Sequence, residues 1–71
     1  MTLIDLEPGS ECEISSVVGD PVVVARLMEL GFIQGEKVQL AGRAPFGEPL
    51  IIEIRGSTIA LRKSEASCVQ L

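Results

Sequence analysis

Glycine and proline constrain this chain more than any other residues. Seven glycines and four prolines punctuate 71 residues, and most of the stretches they leave suit only a short strand or a helix of about three turns. Pro8-Gly9 ends the first apolar stretch. Cys12, Ile14 and Ser16 then alternate with Glu11, Glu13 and Ser15, which predicts a first strand. At Gly19-Asp20-Pro21 the signals become those of a helix start. Asp20 can accept hydrogen bonds from free backbone N–H groups, and Pro21 at the first helical position sacrifices none. Gly31 closes that helix.

Inside the helix, Val24, Leu27, Met28 and Gly31 fall at i, i+3, i+4 and i+7, with Val23 and Leu30 on the same side. This predicts one buried face and places Leu27, Met28 and Leu30 in the core. The run Val22-Val23-Val24 is β-branched, so the helix depends on packing more than on propensity. Alternation resumes with Val38 and Leu40, the second strand. A loop from Gly42 to Pro49 follows, then a third strand with Leu50, Ile52 and Ile54 on one face. Arg55-Gly56-Ser57-Thr58 predicts a type II′ hairpin turn with Gly56 first of the two central residues, leading to Ile59 and Leu61. Lys63–Ala66 allows one helical turn before Val69 and Leu71 end the chain as a last strand. The expected architecture is mainly β with one α-helix, a small antiparallel β-barrel closing on itself so that no sheet edge stays open.

The length suits a single domain over 1–71. No apolar run approaches the ~20 residues of a membrane span, and the start lacks the basic and apolar regions of a secretory signal, so the expected location is cytoplasmic. Ten acids against six bases give a net charge of −4, which disfavours nucleic acid and anionic lipid. Cys12 and Cys68 form no dense framework. Strand parity puts them on opposite faces, so two free thiols are expected.

Without histidine, and with no Ser or Cys beside a base and no glycine-rich phosphate loop, the chain lacks the parts of an enzyme. No cofactor is expected. A soft-metal site from Met28, Cys12 and Cys68 fails on the same parity, while Glu11, Glu13 or Glu48 suit at most a weakly held hard cation at the surface, so no metal site is assigned. Phe46 is the first candidate for partner binding. It sits on a loop stiffened by Pro45 and Pro49, where no strand pattern buries it, and either anchors an interface or folds back as a plug over the barrel end. Arg26 and Glu29, three apart on the helix, either pair with each other, face a partner, or form a solvated face. Val22, Ile33, Phe46 and Ile51 also suit a weak homo-oligomer.

Several pieces, in order, resemble the FeoA family: Leu3, Leu6, Pro8-Gly9 and Ile14; Arg26-Leu27-Met28-Glu29-Leu30-Gly31-Phe32 with Gly35 and Val38; Ala44-Pro45-Phe46-Gly47-Glu48-Pro49; Gly56; and Ile59-Ala60-Leu61-Arg62 with Glu65-Ala66. Gln34 departs from the Pro-Gly pattern of many relatives, and neither cysteine belongs to a family motif. The resemblance implies an SH3-like barrel. It also implies a cytoplasmic accessory protein, peripheral to the inner membrane through its partner, that modulates a FeoB-type ferrous iron transporter by protein contacts. The alternative is a module sensing a divalent metal, like the barrel of iron-dependent repressors. Two phenylalanines with no Tyr or Trp cannot line a polyproline groove or a base-stacking surface.

Overall fold

The computed structural model describes residues 1–71. A 3-10 turn at Leu3–Asp5 precedes β1 (Glu11–Glu13), β2 (Ser16–Val17), α1 (Pro21–Glu29), β3 (Lys37–Arg43), β4 (Leu50–Ile54), β5 (Ser57–Leu61), α2 (Lys63–Ala66) and β6 (Val69–Gln70). One antiparallel sheet has the order β1-β3-β4-β5, and β2 pairs with β6 in a second.

The expected first strand is therefore two strands. Up to Glu13 the chain pairs with β3. Ile14 then donates to the Glu36 carbonyl and accepts from Gly35, both at 2.8 Å, and Ser15 donates to Gln70. The backbone leaves one sheet at Ile14 and joins the other. This switch corrects the closed barrel: the two sheets share a core but form no continuous ladder, and β1 and β5 are free edges of the larger one. The mainly β, SH3-like architecture stands.

Val38, Leu40, Leu50, Ile52, Ile54 and Leu61 turn inward from the larger sheet. They meet Leu3 and Leu6 from the N-terminal segment, Leu27 from α1, Phe32 after it, and Ala66 and Val69 from the C-terminal end in one core. A bulge in β3 shapes this sheet. Leu40 lies opposite Ile52 and Gly42 opposite Ile51, so Ala41 is an extra residue that bends the strand. It also reverses parity. Arg43, which unbroken alternation would send outward, falls opposite buried Leu50, and its guanidinium donates to the carbonyls of Ile4 and Leu6. The bulge thus brings a cation over the open carbonyls of the 3-10 turn.

The β4–β5 hairpin is one residue out of the expected register. Ile54 pairs with Ser57, so the central residues are Arg55 and Gly56, with φ of 52° and 78°. Two left-handed residues make a type I′ turn, whose twist matches that of the flanking strands.

At α1 the expected caps hold. Asp20 accepts from the Val22 amide at 2.9 Å, Pro21 opens the helix and Gly31 follows it with φ 107°. The expected buried face is too wide. Leu27 is fully buried, but Met28 and Leu30 are 47% and 43% exposed, because a nine-residue helix meets the core along a narrow stripe and Met28 lies about 100° round from Leu27. The two cysteines are free thiols, and both are half-buried against the core. Cys68 precedes β6 instead of lying within it, so strand parity does not govern it and it does not face outward as expected.

Candidate interaction site

Phe46 projects into solvent, 94% exposed, which rules out the plug. The residues around it form a braced platform. Gly47 donates to the Ala44 carbonyl at 2.8 Å, closing a turn with Pro45 and Phe46 at its centre, and Ala44 donates to Pro49 at 3.1 Å across the loop base. Glu48 accepts from the Lys63 amide at 3.2 Å, which ties the loop to α2. The Glu48–Pro49 peptide is cis. Pro45, at the second position of the turn, fixes the backbone that presents Phe46. An aromatic ring held out by a rigid loop loses little conformational freedom on binding.

Arg26 and Glu29 do not pair. The Arg26 guanidinium forms an ion pair with Glu65 of α2, while Glu29 remains exposed without an ion-pair partner. Glu65 is the buried charged residue of the chain, 8% exposed, and its second oxygen accepts from the Arg62 amide at 2.9 Å. Arg26 is thereby a brace between helices. Arg26 and the Phe46 loop meet different residues of α2, Glu65 and Lys63.

Two features escaped the sequence reading. Glu65 had a readable signal, a glutamate at the third position of a helix, where its carboxylate can reach back to a free amide. The second is the outer stripe of α1, where Pro21, Val22, Ala25 and Met28 are all exposed. Its signal was a helix apolar nearly all round, with only Arg26 and Glu29 charged. Of the apolar residues suited to a homo-oligomer, Val22 and Ile33 are exposed like Phe46, whereas Ile51 is half-buried. No three His, Cys, Asp or Glu side chains converge on a point where they could hold a metal ion. No helix is long and apolar enough to cross a membrane.

The model of the FeoA domain family matches residues 1–71. The chain belongs to the FeoA domain family. FeoA of Stenotrophomonas maltophilia is 37% identical and superposes with a TM-score of 0.86 over 97% of this chain and 86% of its own. That protein is described as a prokaryotic SH3 domain protein, solved with zinc and suggested to activate ferrous iron transport. A curated relative from Porphyromonas gingivalis is 28% identical over 71 residues and is an Fe(2+) transport protein A/Fe(2+) transporter FeoB fusion protein. All of this chain aligns, yet it spans only 8% of that relative's length. A manganese-dependent transcriptional repressor shares the fold alone, with a TM-score of 0.87 over 97% of this chain and 39% of its own at 16% identity. These likenesses establish the SH3-like fold.

Proposed function

We propose that this FeoA domain is a single-domain, non-catalytic accessory subunit for ferrous iron transport, acting in the cytoplasm by binding a FeoB-type transporter and modulating it through protein contacts. The observation that carries this reading is the P. gingivalis relative, in which an FeoA part and a FeoB transporter are one polypeptide. Fusing two modules raises their effective concentration for each other, which is useful only where they meet. The Phe46 platform is the contact we assign. A rigid, fully exposed aromatic is the kind of anchor that carries a large share of interface energy, on the order of 2 kcal/mol or more. Pro45 supports it, Arg26 acts through α2, and exposed Glu29 on α1 is assigned as a second, separate contact.

The test is an amide chemical-shift titration of labelled protein with the transporter's cytosolic nucleotide-binding domain, in both nucleotide states, and with the full transporter in detergent. Shifts clustered on Ala44–Glu48 that vanish for Phe46→Ala support the assignment. Binding that is unchanged by Phe46→Ala refutes the anchor. Absence of binding to both transporter forms refutes the accessory role itself.

A further inference from the structure

The two free edges of the larger sheet differ in a way that bears on partners. On β1 the edge is short and carries Glu11 and Glu13, charges that discourage another strand from pairing there. On β5 the edge is Ser57-Thr58-Ile59-Ala60-Leu61, with no charge, no proline and no bulge. The turn register decides which of its backbone groups are free. Because Ile54 and Ser57 flank a two-residue turn, Ser57, Ile59 and Leu61 exchange hydrogen bonds with β4, and Thr58 and Ala60 turn theirs outward. No other strand pairs with β5, and neither residue bonds to any turn, loop or side chain. Both are exposed. Two N–H donors and two C=O acceptors therefore stand in a row with no partner in the chain.

Charge selects the occupant. Three of the six bases flank this edge: Arg62 and Lys63 directly after it, and Arg55 in the turn before it. Arg62 and Lys63 form no side-chain ion pair, and Arg55 has a loose 3.7 Å contact with Glu36. The nearby carboxylates leave this balance intact. Glu53 lies one strand in, opposite Thr58, Glu48 accepts from the Lys63 backbone, and Glu65 is taken up by Arg26. A second copy fits poorly. The antiparallel self-pairing that satisfies all four outward groups is centred on Ile59, and it sets Arg55 of one copy opposite Lys63 of the other, with Arg62 opposite Gly56.

We propose that β5 is a strand-addition site for an extended segment of another protein, taken up antiparallel, with acidic residues at the N-terminal end of that segment meeting Arg62 and Lys63. Main-chain hydrogen bonds to Thr58 and Ala60 hold the added strand, and the flanking cations set its direction. The proposal stands independently of the Phe46 assignment.

The probe is a short capped peptide of alternating valine and threonine, N-methylated along its far edge and preceded by two aspartates. The control carries two lysines instead. Amide shifts are followed on labelled protein. The expected result is saturable shifts at Thr58 and Ala60, with the aspartate peptide bound about tenfold tighter than the lysine one, although the protein's net charge favours the reverse. Arg62→Glu, a change of an exposed side chain, reverses that preference, and Ala60→Pro, which removes an outward N–H, abolishes both bindings. Absence of saturation, shifts centred elsewhere, or equal affinity for the two peptides overturns the proposal. Concentration-dependent shifts at Thr58 and Ala60 without peptide overturn it in favour of a second copy.

Discussion

Gly19→Ala is the substitution whose cost can be divided most cleanly. Gly19 connects β2 to the Asp20 cap with φ of 146°, and a Cβ built there lies 2.7 Å from the Cys68 Sγ and 3.6 Å from its Cβ. Two penalties follow. An L-residue at this φ costs about 1–3 kcal/mol in backbone strain, and the sulfur must move. The sulfur has little freedom, since Val18 donates to the Cys68 carbonyl at 2.9 Å and the thiol itself points to the Ser64 carbonyl at 3.5 Å. Overpacking of this kind costs about 1–3 kcal/mol. Together they approach the ~3–5 kcal/mol that so small a core supplies, so Gly19→Ala is expected to be barely folded. Cys68→Ala alone removes one half-buried atom and should cost less than about 1 kcal/mol. In the Cys68→Ala background the 2.7 Å contact is gone and only backbone strain remains, so Gly19→Ala should cost at least about 1 kcal/mol less there. Urea unfolding of the four proteins, followed by far-UV circular dichroism, gives the coupling. Equal costs in both backgrounds would refute the steric argument and leave φ as the whole effect.

Other substitutions test the remaining links. Leu27→Ala empties the centre of the α1 contact and should lose about 2–5 kcal/mol, read as a lower urea midpoint. Met28→Ala, nearly half exposed, should lose less than about 1 kcal/mol, and a loss equal to that of Leu27→Ala would restore the wider buried face. Arg55→Asn places a residue that tolerates left-handed geometry at φ 52° and should raise stability by about 0.5–1 kcal/mol, since the exposed Glu36 contact contributes little; a drop in the melting midpoint would count against the type I′ assignment. Arg26→Ala strips the buried Glu65 of its cation and should cost about 1–2 kcal/mol, with Glu65→Gln milder because the Arg62 amide still finds an acceptor. Identical losses for the two would show that leaving the Glu65 carboxylate without its cation carries no extra cost.

The parts of this fold that the sequence made legible rest on local chemistry. Asp20-Pro21 and Gly31 bound the helix because capping and left-handed geometry involve residues only a few positions apart, and Val38/Leu40 and Leu50/Ile52/Ile54 declare their inward face by alternation. What escaped depends on the choice of partner across the chain. The break at Ile14 is invisible in Glu11-Cys12-Glu13-Ile14-Ser15-Ser16, where alternation continues smoothly, because it arises only when Ser15 finds Gln70. The Ala41 bulge has no sequence mark beyond Gly42, yet it decides which face Arg43 takes. The site divides the same way. Phe46 was legible as an apolar residue without a pattern to bury it, whereas the role of Arg26 was not, since its partner Glu65 lies 39 positions away.

That distant pairing explains why α2 exists. A four-residue helix cannot sustain itself, since nucleation fixes several residues for a single internal bond. Lys63–Ala66 is held by bonds reaching out of it instead. Glu65 takes the Arg62 amide and the Arg26 guanidinium, the Lys63 amide meets Glu48, and Ala66 is fully buried. The same bonds bind α1, the Phe46 loop and the end of β5 to one small element. Loosening α2 therefore disturbs both the aromatic platform and the Arg62–Lys63 end of the open edge, while Phe46→Ala or Ala60→Pro alters one surface alone. Binding defects of Arg26→Ala at both surfaces, beside single-surface defects of the other two, are the pattern this linkage requires.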